Sequence, residues 1–226
     1  MAYGMAGREF HAPFIHAHPE CELRAVVERH EKKAGSRYPG IISYDQTDEL
    51  LNDNEIELII VNTPNNTHFD LAKKSLQAGK HVLVEKPIAA TVAEVKELYD
   101  ISRQVNRHLM VYQNRRWESD FLSVKEVIES GRLGELIEVH FRFDRYKAML
   151  SPKLFKETKS MAPNGLVYDL GPHLIDQAIS LFGRPLRFKK TSAIYREGSQ
   201  VIDYFNYHLS YPNQLNVYLT SGLLIA

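Results

Sequence analysis

The sequence predicts an α/β chain in two parts. A doubly wound parallel sheet, with its first strand missing, precedes a truncated α+β domain with an open antiparallel sheet. Three observations predict it. Short apolar runs at 23–27, 56–61, 82–84 and 109–112 alternate with helical stretches up to about residue 113. The run 56–61 is interrupted only by Glu57, as in a parallel strand buried on both faces. Beyond residue 118 the pattern changes: Ile137, Val139, Phe141 and Phe143 alternate with Glu138, His140, Arg142 and Asp144, the period-two mark of a half-buried sheet. The expected domains are 1–115 and 116–226.

Composition narrows the function. With 28 Lys+Arg against 28 Asp+Glu the chain lacks the basic excess of a nucleic-acid or membrane-surface binder, so neither partner is expected. An apolar content of 44% supports a real core. No long uncharged apolar run is present, and the start has no basic-then-apolar signal pattern. Cys21 has no intrachain partner, which fits a reducing, cytoplasmic setting. There the sequon Asn65-Asn66-Thr67 is inert. His11, His16 and His18 have no Cys or acid at ligand spacing, so no metal is expected.

In chain order, Ala2-Tyr3-Gly4-Met5-Ala6-Gly7 reads as G-x-G-x-x-G with Ala2 in the first glycine position and only Met1 before it. Gly4 would let backbone approach a pyrophosphate, and Gly7 would let the next helix pack closely. That helix presents free N–H groups and a positive dipole end to phosphates. Its expected buried face is Phe10 and Phe14. The strand 23–27 ends in Glu28, 21 residues after Gly7, where a dinucleotide fold places the acid for the adenosine ribose. Arg29, Lys32 and Lys33 could instead hold a 2′-phosphate, and a merely solvated strand end fits as well. A short helix is expected at 47–52. Residues 62–68, Asn-Thr-Pro-Asn-Asn-Thr-His, are turn chemistry with several donors, followed by a helix at 69–78 closed by Gly79.

Pro87 ends the next strand and leaves Glu85 and Lys86 at its carboxyl end, the edge where open α/β sheets bind ligands. Taken alone, a lysine there is more often simply solvated. Thr91 and Glu94 form a capping box for a helix with Val92, Val95, Leu98 and Ile101 on one stripe. The run 109–112 leads into Gln113-Asn114-Arg115-Arg116-Trp117. In the second part, a helix at 121–130 stops at Gly131, and strands are expected at 186–195, 202–211 and 215–219. Pro172 suits the first turn of a helix running to Phe182 and stopped by Gly183. His173 falls in that turn, where the dipole disfavours imidazolium, and Asp169 can bond its ring. A neutral basic imidazole is what proton abstraction from an alcohol needs, although this motif alone reads better as a structural helix-start histidine.

Together these marks resemble the Gfo/Idh/MocA oxidoreductases: A-Y-G-M-A-G at 2–7, E-K-P at 85–87, and G-x-x-x-D-x-G-x-H-x-x-D at 165–176. Residues 113–117 are similar to the subgroup that includes NADP-dependent scyllo-inositol dehydrogenase. The resemblance implies a Rossmann-type domain and an NADP- or NAD-dependent dehydrogenase acting on a ring hydroxyl of a sugar or polyol. It implies Lys86, Asp169 and His173 as catalytic residues: His173 removes the hydroxyl proton, and Lys86 stabilises the developing alkoxide. It assigns the cofactor to Gly4, Met5, Gly7, Glu28, Arg29, Thr63, Pro64, Asn66, His68, Glu85, Lys86 and Gln113. Arg115, Arg145 and Tyr146 join Lys86, Asp169 and His173 as candidate substrate contacts. A homodimer or homotetramer through the C-terminal sheet is implied. Ala2 and the length of 226 residues depart from the family pattern. They carry the alternative expectation of a chain truncated at both ends: unstable or weakly active alone, and serving as a nucleotide-binding or dimer partner protein.

Overall fold

A computed structural model describes residues 2–152, 157–159 and 163–225. It divides into two units, Met1–Tyr112 and Gln113–Ala226, so Gln113, Asn114 and Arg115 group with the second.

In the first unit, β1 (Ala25–Val27) and β2 (Ile42–Tyr44) pair in parallel. A second parallel sheet has the order β3 (Leu58–Val61), β4 (His81–Glu85), β5 (Leu109–Tyr112). Alternate β3 residues feed opposite layers. Ile59 and Val61 pack with Leu76, Val82 and Leu98, whereas Ile60 packs with Ala12, Val26 and Ala34. That two-sided burial is what the continuous apolar run at 56–61 predicts. The helices of this unit are α1 (Ala12–Ala17), α2 (Ala34–Arg37), α3 (Thr47–Asn52), α4 (His68–Gln77) and α5 (Val92–Gln104). Thr91 and Glu94 close the expected capping box on α5.

Ala2 lies between β1 and β3. It makes a single parallel bridge to Val27, and its N–H and C=O both bond the Asn62 side chain, at 2.8 and 2.9 Å. Residues 5–17 form one helix, but Phe10 and Phe14 are 41% and 67% exposed rather than buried. Its turn Gly7–His11 is wound as a π-helix, which adds a residue per turn and brings His11 and Ala12 inward instead.

In the second unit, α6 (Ser119–Glu129), α7 (Leu166–Asp169) and α8 (Gly171–Phe182) accompany a sheet of order β6 (Glu138–Arg142), β9 (Asn216–Gly222), β8 (Tyr204–Ser210), β7 (Arg187–Ala193). Pairs β7–β8 and β8–β9 are antiparallel as expected, whereas β6 joins β9 in parallel, so the sheet is mixed. Alternation fixed which β6 residues face the core but carried no information on which strand lies beside it. Leu166, Leu170 and Leu174 pack on Phe205, Val217 and Leu219, burying one sheet face. On the opposite face, the rings of His140, Tyr218 and His208 stack across three strands. Among the described residues, no helix is long and apolar enough to cross a membrane, and no His/Cys/Asp/Glu group could hold a metal.

One buried charge cluster ties this unit together. Arg196, 5% exposed, reaches Glu157 at 2.7 Å and Asp203 at 3.3 Å. Asp203 also accepts the Tyr195 and Arg196 N–H groups, and Glu157 accepts that of Ser151. Burial pushes the Glu157 carboxyl up, but the bonds from Ser151 and Arg196 outweigh it and hold the group below its ordinary value. The stability that Glu157 contributes is therefore full above the ordinary carboxylate range and is lost as pH falls through its lowered folded-state value. Removing Arg196 takes away the cation that two buried carboxylates share among the described residues. Arg196→Met should cost about 3–5 kcal/mol in urea unfolding at neutral pH. Adding Glu157→Gln and Asp203→Asn should restore much of that; a neutral effect of Arg196→Met would remove the cluster's structural role.

Candidate functional site

The two glycines of the first loop do different work. A Cβ at Gly7 would lie 2.2 Å from the Ala2 carbonyl oxygen and 3.0 Å from Asn62 Nδ2, so only glycine lets the helix sit against Ala2. At Gly4 a Cβ would meet nothing within 4 Å. Gly4 is thus not required by packing within the protein, and the space beside it is open to a ligand.

That space belongs to a cavity of about 700 Å³ whose walls include Ala2, Gly4, Glu28, Arg29, Thr63 and Pro64. Five of the sequence-predicted cofactor residues therefore come together, at the carboxyl ends of β1 and β3. Met5, Gly7, Asn66, His68, Glu85, Lys86 and Gln113 are not among its walls. Met5 and Asn66 are exposed, Lys86 is half-buried just after β4, and the Gln113 Oε1 is buried without a hydrogen-bond partner among the described residues.

Glu28 differs from its expected role. It is 7% exposed, and its carboxylate already accepts from the Lys33 and Ala34 N–H groups and the Ser43 hydroxyl at 2.8–3.3 Å. It stabilises the start of α2 and ties it to β2 instead of presenting a free acid. The neighbouring cations also sort themselves. Lys32 pairs with Asp45 at 2.7 Å, and Lys33 pairs with Glu31. Arg29 is exposed, lines the cavity, and has no ion-pair partner among the described residues. His68 is 1% exposed, with both ring nitrogens on backbone carbonyls, so it is walled off from the cavity. Glu85 meets His11 at 2.9 Å. An open glycine, a free arginine and the Thr63 turn around one cavity suit a dinucleotide. Gly4, Arg29, Thr63 and Pro64 line that cavity and are the residues that could hold one.

In the second unit, Gly165 has φ +88, and a Cβ there would press on Val201 Cβ at 3.0 Å and the Ile202 oxygen at 3.1 Å. This glycine lets Leu166 N–H reach the Ile202 carbonyl at 2.8 Å and sets the start of α7. Asp169 ends α7 with its side chain 58% exposed and Arg145 at 3.9 Å, a surface pair of small energetic weight. Pro172 stands in the first turn of α8, which stops at Gly183 as expected, and His173 in that turn is 5% exposed. Tyr146 is 70% exposed. Arg115 pairs with Glu118 at 2.9 Å and lies 4.9 Å over the Phe143 ring.

Two residues were given no role by the sequence, Asp176, the last position of the 165–176 motif, and Gln177. Asp176 accepts from Arg116 Nε at 3.0 Å and from its Nη2, along one edge of the guanidinium, and Gln177 donates to the Arg115 carbonyl at 3.3 Å. One turn after His173, they dock the segment Asn114–Trp117 onto α8 and so fix Arg115 within the unit that carries His173. The available signal was an acid at i+3 from His173 together with an unexplained Arg-Arg pair.

Residues 2–113 match the model of an oxidoreductase family with an NAD-binding Rossmann fold, and residues 121–226 match the GFO/IDH/MocA C-terminal domain. An uncharacterised oxidoreductase of Schizosaccharomyces pombe is 43% identical over 230 residues, covering 96% of this chain and 62% of that protein. The scyllo-inositol 2-dehydrogenase (NADP(+)) of Bacillus subtilis is 32% identical over 225 residues, covering 100% of this chain and 62% of that protein. The crystal structure of a Bacteroides fragilis protein classed as an oxidoreductase has a TM-score of 0.88 at 41% identity, over 99% of this chain and 63% of that one. This chain therefore spans less than two thirds of the length of these relatives. With both family domains matched along nearly all its residues, the chain belongs to the Gfo/Idh/MocA oxidoreductase family, and its first unit is that family's NAD-binding Rossmann domain.

Proposed function

We propose that this chain serves an NAD(P)-dependent dehydrogenase acting on a ring hydroxyl of a sugar or polyol. The observation that carries the reading is the cavity at the carboxyl ends of β1 and β3, walled by Gly4, Arg29 and Thr63, in the unit that presents Lys86 at the end of the neighbouring β4. Bound nicotinamide supplies the hydride acceptor. His173 takes the hydroxyl proton, Asp169 supports the resulting imidazolium, and Lys86 stabilises negative charge on the substrate oxygen. Arg115, Arg145 and Tyr146 are proposed as substrate contacts. The inositol dehydrogenase among the relatives supports a polyol.

NADP is the preferred cofactor on this reading. Glu28 repels a 2′-phosphate less than a free acid would, because its carboxylate is already hydrogen-bonded within the protein, and Arg29 is the cation left to receive one. Self-association through the open face of the C-terminal sheet, in a cytoplasmic setting, belongs to the same proposal. That face carries the His140–Tyr218–His208 stack and is not the one α7 and α8 cover.

The test is a screen of inositols and sugars with both cofactors, following nicotinamide absorbance. Lys86→Ala should lower turnover by roughly two to four orders of magnitude while cofactor affinity changes far less. Near wild-type turnover in that variant would remove Lys86 from the chemistry. Arg29→Ala should reduce the preference for NADP over NAD by roughly tenfold, about the worth of one charge-assisted hydrogen bond. An unaltered preference would mean that the selector lies elsewhere.

A further inference from the structure

Lys86 stands between two residues that are each held by a buried histidine. On its amino side, the Glu85 carboxylate meets His11 Nε2 at 2.9 Å, with side chains 15% and 2% exposed. The His11 ring also packs on Tyr112, centroids 4.5 Å apart. On its carboxyl side, the Pro87 carbonyl lies 2.7 Å from His68 Nδ1, and the Thr63 carbonyl lies 2.8 Å from His68 Nε2. Carbonyl oxygens only accept, so a ring nitrogen that carries an N–H donates to the carbonyl it faces, and one such bond anchors the ring between the two. With water excluded from His68, a bond made there has no ready replacement, and Thr63 and Pro87 both lie against one rigid ring.

The origin of each histidine gives the arrangement its meaning. His11 closes the turn Gly7–His11 that follows the glycine loop, and His68 opens α4 directly after the Thr63–Pro64 turn. These are the two segments assigned above to the dinucleotide. Each therefore has its own tie to a neighbour of Lys86. A third tie, the Tyr112 hydroxyl on the Phe10 carbonyl at 3.1 Å, keeps the glycine-loop helix against β5 beside β4.

We propose that His11 and His68 are positioning residues that couple cofactor occupancy of the two loops to the position of Lys86. Neither residue is among the walls of the cavity assigned to the cofactor. A shift of the glycine-loop helix reaches Glu85 through His11, and a shift of the Thr63 turn reaches Pro87 through His68. The inference rests on the cofactor reading proposed above.

The test uses the 226-residue chain with its lysines reductively methylated with carbon-13. The Lys86 resonance is assigned by its absence in Lys86→Arg, and NADP+ is the probe, with binding measured in parallel by calorimetry. NADP+ should move the Lys86 resonance in the wild-type protein. In His68→Gln, and in Glu85→Ala, NADP+ should still bind, but the movement at saturation should be largely lost. Glu85→Ala removes the acceptor that His11 meets, at a strand end and on a side chain 15% exposed, so it decides the matter alone if His68→Gln does not fold. A full Lys86 response in the folded variants overturns the coupling and leaves the cofactor reading intact. No heat of NADP+ binding to the wild-type chain overturns both.

Discussion

The Asn62 carboxamide accepts from the Ala2 N–H and donates to the Ala2 carbonyl, so one side chain does what a neighbouring strand does in a ladder. On its other side Ala2 bridges Val27, and this narrow junction links the β1–β2 pair to the β3–β5 sheet. Gly7 packs against the same two groups, which aims the helix and leaves Gly4 facing open space. The cavity, the glycine loop and the position of Arg29 all depend on this one junction.

Much of this was legible in the residues. Alternating apolar runs predict the parallel strands because burial on both faces demands continuous apolar sequence. Thr91 with Glu94, and Pro172 with Gly183, mark helix ends because their backbone chemistry is local. The spacing of Gly4, Gly7, Thr63 and Lys86 follows the chain through successive strand ends, so their shared sheet edge could be read without coordinates.

What stayed hidden depends on non-local partners. Spacing places Glu28 at the end of β1, but nothing in it tells that Lys33, Ala34 and Ser43 occupy the carboxylate. The π-wound turn at Gly7–His11 rotates the helix face by the width of a residue, which turned Phe10 outward and His11 inward. Alternation in β6 reports which residues face the core, yet strand direction is set by β9, some eighty residues later along the chain. The roles of Asp176 and His68 likewise appear only once Arg116, Thr63 and Pro87 are beside them.

Whether the cavity at Gly4 receives a dinucleotide is tested most directly by calorimetric titration of NADPH into the wild-type chain and Gly4→Val. The space around Gly4 is free of protein atoms, so the variant should melt with the wild type. Its side chain should nevertheless occupy the approach to the loop and weaken NADPH binding by roughly tenfold or more. Equal affinity in the two proteins, at equal stability, would contradict a cofactor bound against Gly4.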